Sequence, residues 1–263
     1  MGRNMRRLIA FACAGETLLG SLDEAAGSTG LLIVSGGNEV RAGAHRGMAS
    51  LAGQVAATGF PVFRFDRRGV GDSSGINSGY ESARDDLLAA LDAFSDAAPY
   101  VTRLIGFGNC DAASALLLHA PGRFARLLLA NPWTIAEAAP LPPPAAIRAH
   151  YAERLRDPAS WLRLLRGGID LRMLIRGLAA IAAARYETLS ALEQALFGAL
   201  AAHPDARLLL AEGDATAIAF ADAARRAGWE GNVTRLATAS HSFARPEDKT
   251  ALQKWILAGL SED

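Results

Sequence analysis

In "GFGNCDAAS", residues 106–114, a cysteine stands alone among small residues directly after an apolar run. Cys110 there is either a small hydrophobe filling the end of a strand or a thiol presented on a sharp strand-to-helix turn. The turn needs small neighbours two residues to either side, because it folds the flanking backbone close to itself; Gly108 and Ala112 meet that need. A nucleophilic thiol also needs a base, and the base needs an orienting carboxylate. Two later apolar segments end on such groups. "ARLLLAEGD" delivers Asp214, and "NVTRLATAS" runs into His241 in "SHSF". Of the five histidines, His241 alone follows a strand in this way; His119 falls on the helix after the cysteine and His203 precedes Pro204. Asp214 is the expected acid, since Glu212 should face the other side of its strand and Asp222 falls on the next helix.

An acyl-transfer site also needs donors for the developing oxyanion. "VSGGNE" supplies a glycine-rich turn whose backbone N–H groups, at Gly37 or Asn38, would join that of Asp111; a plain strand-to-helix turn is the alternative. A thiol at a helix N-terminus beside a histidine can ionise well below about pH 8.5. Asp111 complicates this: its charge suits a helix N-terminus, yet it opposes a thiolate one residue away. The expectation is that it steadies the first helical turn. Glu39 is a second base, a gate, or a solvated loop residue.

Strands and helices alternate around these residues. After an antiparallel opening pair turning at Gly15–Glu16, "TGLLIVSGG", "PVFRFD", "VTRLIGFG" and "RFARLLLANP" read as strands. "AHRGMASLAGQVAATG", a segment opening on Ser82, and "CDAASALLLHAPG" read as the intervening helices. After residue 203 come strand, helix, strand and helix. This rhythm predicts a mostly parallel sheet covered by helices on both faces, with chemistry at the carboxyl ends of its strands. Residues 134–203 break the rhythm, opening on "APLPPP", and read as a helical cap inserted between core segments 5–133 and 204–263. The cap is rich in arginine. Arg172 and Arg176, one turn apart, are candidates for an anionic or lipid-linked substrate, with Trp133 lining the pocket; an amphipathic lid with its arginines in water is the alternative.

Lys plus Arg (27) balance Asp plus Glu (27), so no nucleic-acid partner is expected. Two distant cysteines, Cys13 and Cys110, read as reduced thiols of a cytoplasmic protein. The opening "LIAFACA" imitates a secretory signal, but its alternation fits a strand better. No segment is long and apolar enough to span a bilayer. The pattern calls for no metal or cofactor.

The order cysteine, aspartate, histidine, each after a successive strand, resembles that of the α/β-hydrolases. "FRFDRRGVGDSSG" is similar to that family's Asp-x-Arg-Gly-x-Gly-x-Ser turn, here Asp66, Arg68, Gly69, Gly71 and Ser73. Closer still, "LIVSGGNEVRAGAHRGM", "GNCDAAS", "ANPW" and "SHSF" resemble the exosortase A system-associated hydrolases, bacterial proteins named from exopolysaccharide and protein-sorting gene clusters. The resemblance implies an α/β-hydrolase fold and a cytoplasmic hydrolase, without naming its substrate. The resulting expectation is hydrolysis of an ester, thioester or lactone through a Cys110 acyl-enzyme. An acyltransferase and a non-catalytic binding scaffold are the alternatives.

Overall fold

The computed structural model describes residues 5–79, 83–119, 121–135 and 188–262. Its strands are β1 (Arg6–Cys13), β2 (Glu16–Asp23), β3 (Thr29–Val34), β4 (Val62–Phe65), β5 (Arg103–Asn109), β6 (Arg126–Ala130), β7 (Arg207–Ala211) and β8 (Val233–Leu236). They form one sheet in the order β1-β2-β4-β3-β5-β6-β7-β8. β1 and β2 pair antiparallel, β2 runs antiparallel to β4, and from β4 onward every neighbour is parallel. The β1–β2 hairpin turns at Ala14 and Gly15, both at positive φ, one residue earlier than the sequence suggests. Two such residues in succession match the right-handed twist of a hairpin.

The helices α1 (Gly47–Ala57), α2 (Ala83–Ala97), α3 (Asp111–His119), α4 (Ala191–Ala202), α5 (Ala215–Ala227) and α6 (Pro246–Ser261) cover both faces. β3 shows why: Leu31 and Ile33 enter one core with α1 and α6, while Leu32 and Val34 enter the other with α2, α3, α4 and α5. A strand buried on both faces must be apolar throughout, and "LLIV" is. α1 starts later than expected, because His45 and Arg46 take left-handed conformations in a short 3-10 turn before it. Ser82, the expected start of α2, and residues 136–187, most of the expected cap, lie outside the described residues. The described end of that stretch is α4, opened by a Ser190–Glu193 capping box. It packs Leu196 and Phe197 into the second core, with Phe197 against Phe220 of α5.

Because β4, β3, β5, β6, β7 and β8 run parallel, the loops leaving them gather at one edge of the sheet. The β5–α3 junction is the tightest of these. Cys110 sits there at φ 63, in the left-handed region that non-glycine residues rarely occupy. A Cβ placed on Gly108 would lie 2.7 Å from the carbonyl carbon of Ala112 and 2.8 Å from the amide nitrogen of Ala113. Backbone cannot retreat as a side chain can. We therefore expect Gly108→Ala to destabilise the fold by about 1–3 kcal/mol, the usual cost of overpacking. Chemical denaturation measures it; an unchanged midpoint would show that the turn can relax.

Candidate active site

Three strand ends bring the sequence-predicted residues together. Cys110 is held from both sides: its N–H donates to the Ala130 carbonyl at the end of β6 (3.0 Å), and its own carbonyl accepts from Ala113 (3.1 Å) and Trp133 (3.2 Å). Asp214 is the N-cap of α5, with Oδ2 accepting from the N–H groups of Thr216 and Ala217, each at 3.1 Å. Its other oxygen, Oδ1, lies 3.0 Å from Nδ1 of His241. The Cys110 side chain lies near enough to the imidazole to favour its charged form. Cysteine, imidazole and carboxylate are thus gathered at one edge of the sheet, with the imidazole bonded to the carboxylate. Glu212 is exposed, and Asp222 is paired with Arg225 and Arg226 along its own helix.

The His241 loop is fixed by its neighbours. Phe243, two residues on, is buried in the α1–α6 core. Asn109 Nδ2 donates to the His241 carbonyl at 3.0 Å, and Asn131 Nδ2 donates to Asn109 Oδ1 at 3.0 Å. Asn131 in turn accepts from the Ala211 N–H at 2.9 Å through Oδ1. Two asparagines therefore tie the ends of β5, β6 and β7 to the histidine loop. Sequence reasoning passed over both, although Asn131 stands in "ANPW", where a buried amide after an apolar strand needs partners.

Electrostatics hold the imidazole in its charged form. His241 is pushed up from 6.5 to about 10, first by the hydrogen bond to Asp214 and then by the Cys110 side chain, while burial acts in the opposite direction. Cys13, the other thiol, lies far from this chemistry. Burial and the nearby Asp86 carboxylate, 3.4 Å from its sulfur, push it up to about 11.

The loop expected to supply oxyanion donors follows β3 and lies directly against the Cys110 turn. A Cβ on Gly36 would meet the Asn109 carbonyl oxygen at 2.8 Å, Asp111 Oδ1 at 2.8 Å and Cys110 Cβ at 3.4 Å. Gly37, at φ 54, donates its N–H to Asp111 Oδ1 at 2.5 Å. That amide is thus engaged by a carboxylate, whereas the backbone N–H groups of Asn38 and Asp111 bond to no other described residue. Glu39 turns to the N–H of Ala44, at 2.6 Å, and braces the loop from its far end. Trp133 is half-buried beside the elbow; its indole N–H donates to Ile135 and its carbonyl accepts from Ser114 Oγ at 2.7 Å. Arg172 and Arg176 lie outside the described residues.

The Asp-x-Arg-Gly-x-Gly-x-Ser turn shapes the next loop. Asp66 is fully buried, accepts from the N–H and guanidinium of Arg41, and leaves no room for a side chain at Gly71, whose Cβ would sit 2.5 Å from Oδ2. Arg68 pairs with Asp86 of α2. Arg67, between them, is buried beneath the loop after β3, donating to the Gly37 carbonyl, and pairs with Asp111 at 3.0 Å. Nothing in the sequence alone singled out Arg67. Among the described residues, no group of histidine, cysteine or acidic side chains is placed to hold a metal ion, and no helix is long and apolar enough to cross a membrane.

The fold is that of the α/β-hydrolases. The esterase Pf2001 of Pyrococcus furiosus superposes with a TM-score of 0.62 at 13% identity, covering 98% of this chain and 94% of the esterase. A hydrolase from Pseudomonas aeruginosa gives 0.59 at 22% identity, over 97% of this chain and 99% of that one. The thioesterase domain from the curacin biosynthetic pathway gives 0.58 at 15% identity, over 97% and 100%. No protein-family model matches the chain. No curated protein matches it in sequence.

The His241 geometry sets a pH dependence. Its folded-state value lies above that of a free imidazole, so its pairing stabilises the fold fully below about pH 6.5. That contribution is lost as pH rises through about 10. NMR should find the imidazolium protonated at pH 8 and deprotonating near 10, and Asp214→Asn should move that transition down toward 6.5. A wild-type transition already near 6.5 would mean that the His241–Asp214 pair does not form in solution.

Proposed function

We propose that this protein is a cysteine-dependent acyl hydrolase acting on an ester, thioester or lactone. The observation that carries the reading is the convergence of Cys110, on its left-handed turn, with the His241–Asp214 pair, whose loop is tied to Asn109 beside the cysteine. In the proposed reaction the Cys110 thiolate adds to the acyl carbon, and the carbonyl π electrons move onto oxygen. Collapse of the tetrahedral intermediate expels the alcohol or thiol, which takes the proton from His241 Nε2. The resulting thioester is cleaved by water, which gives a proton to the neutral imidazole as it attacks. Asp214 remains ionised, orienting Nδ1–H and stabilising the imidazolium.

Fold likeness to an esterase and a thioesterase domain supports this class of bond. The use of sulfur rests on the residue itself. The link to exopolysaccharide or exosortase systems rests on the resemblance of the quoted segments, and the proposal that residues 134–203 form the cap rests on their break in the strand–helix alternation. Acyl transfer to a nucleophile other than water would use the identical first half-reaction.

A panel of p-nitrophenyl esters and acyl thioesters tests the proposal. Cys110→Ala should lower turnover of the best substrate by more than about 10³-fold, the scale expected when a nucleophile is removed. Mass spectrometry of quenched wild type should show an acyl adduct on the peptide carrying Cys110. The serine variant should be slower than wild type, because its hydroxyl has to surrender a proton during attack. Undiminished turnover by Cys110→Ala would end the cysteine mechanism.

A further inference from the structure

The acid beside the nucleophile has a partner that changes its meaning. Asp111 is buried and uses both carboxylate oxygens: Oδ1 accepts the Gly37 N–H at 2.5 Å, and Oδ2 accepts from Arg67 Nη2 at 3.0 Å. The same Arg67 nitrogen donates to the Gly37 carbonyl at 2.5 Å. Asn77 Nδ2 reaches that carbonyl from the outside at 2.9 Å. Gly37 is therefore gripped at its donor and its acceptor by one ion pair, in which the Arg67 side chain is 2% exposed and that of Asp111 12%. Charge-assisted bonds of this kind are the stronger ones. A buried pair is costly unless hydrogen bonds use its remaining valences; here the backbone of a single loop residue uses those of Asp111 Oδ1 and Arg67 Nη2, while Arg67 Nη1 is buried without a partner among the described residues.

The grip determines which amide is free. The Gly37 carbonyl and the Asn38 N–H belong to one planar trans peptide and so point in opposite directions. Fixing the carbonyl toward Arg67 and Asn77 turns the Asn38 N–H away from both. Meanwhile the Gly37 N–H is occupied. We propose that the Asp111–Arg67 ion pair is the positioning device of the oxyanion loop: it withdraws the Gly37 amide and sets the Asn38 amide as the partner of the Asp111 N–H in the oxyanion hole. This inference rests on the acyl-transfer reading. It also accounts for an acid next to the thiol, because the Asp111 charge is spent on Arg67 and a loop amide.

The test separates oxyanion stabilisation from thiol reactivity. On a p-nitrophenyl ester that wild type hydrolyses, Asp111→Asn should lower kcat by about 30- to 100-fold, somewhat less than the loss of an oxyanion donor itself. KM should stay within about threefold, as expected for an interaction made in the transition state. Iodoacetamide should alkylate Cys110 of the variant at least as fast as wild type. That displacement forms a sulfur–carbon bond as iodide leaves with the electron pair, and passes through no oxyanion. Asn77→Ala, which removes the outer contact, should lower kcat by a smaller factor at unchanged Tm.

If Asp111→Asn does not fold with Arg67 left uncompensated, the double variant Asp111→Asn/Arg67→Met removes both charges and carries the same expectation. Equal or higher kcat without the carboxylate would overturn the inference, since Asp111 would then be obstructing a Gly37 donor. So would equal losses in turnover and alkylation, the signature of a merely structural pair. A wild type that hydrolyses no ester or thioester, and whose Cys110 is no more reactive than a free thiol, would instead overturn the acyl-transfer reading beneath it.

Discussion

The left-handed backbone at Cys110 is the constraint on which the rest of this molecule depends. Holding a residue with a Cβ in that conformation costs about 1–2 kcal/mol, and surrounding structure has to offset it. Here the end of β6 accepts the cysteine N–H, while Ala113 and Trp133 donate to its carbonyl. The turn in turn dictates composition around it. Gly108 and Gly36 sit where any side chain would strike backbone or the Asp111 carboxylate. A thiol displayed above the sheet edge is the outcome, within reach of loops that leave the neighbouring strands.

Those loops are pinned by charge. Three consecutive residues after β4 each face a different partner: Asp66 holds Arg41, Arg67 holds Asp111, and Arg68 holds Asp86. The balanced composition of 27 basic and 27 acidic side chains thus conceals a concentrated set of pairs at the carboxyl edge. Exposed pairs contribute little to stability, but these are largely buried, and their geometry is set by backbone amides as much as by charge. Their effect is specificity of loop position. In an acyl-transfer site, placement of a donor within a fraction of an ångström decides its worth.

The asparagine relay does the same for the histidine loop. Asn109 and Asn131 connect three strand ends to the His241 carbonyl, and Phe243 anchors the loop in the opposite core. Asp214 has a double duty as helix cap and histidine partner, which fixes its carboxylate plane before any substrate arrives. Each of the three residues is therefore held by contacts outside the group.

Much of this was determined by the sequence alone. Alternation of apolar runs with helical spacing defined a parallel sheet clothed on both faces, because period and length of an apolar run depend on nearest neighbours along the chain. Small residues around Cys110 announced the turn, since a steric requirement two residues away is local. The order of Asp214 and His241 followed from strand ends for the same reason. Element starts were less well determined: α1 begins after two left-handed residues that no propensity marks. What the tertiary structure alone decided is pairing between residues far apart in the chain. Gly37 and Asn38 stand as equal candidates in the sequence, and only the folded chain shows the Gly37 N–H engaged by a carboxylate 74 positions away. Arg67 looked like one more residue of a turn motif, and Asn131 like the end of a strand. Their roles arise because a sheet gathers distant loops at one edge, where buried charges and amides must find partners that one-dimensional spacing does not reveal.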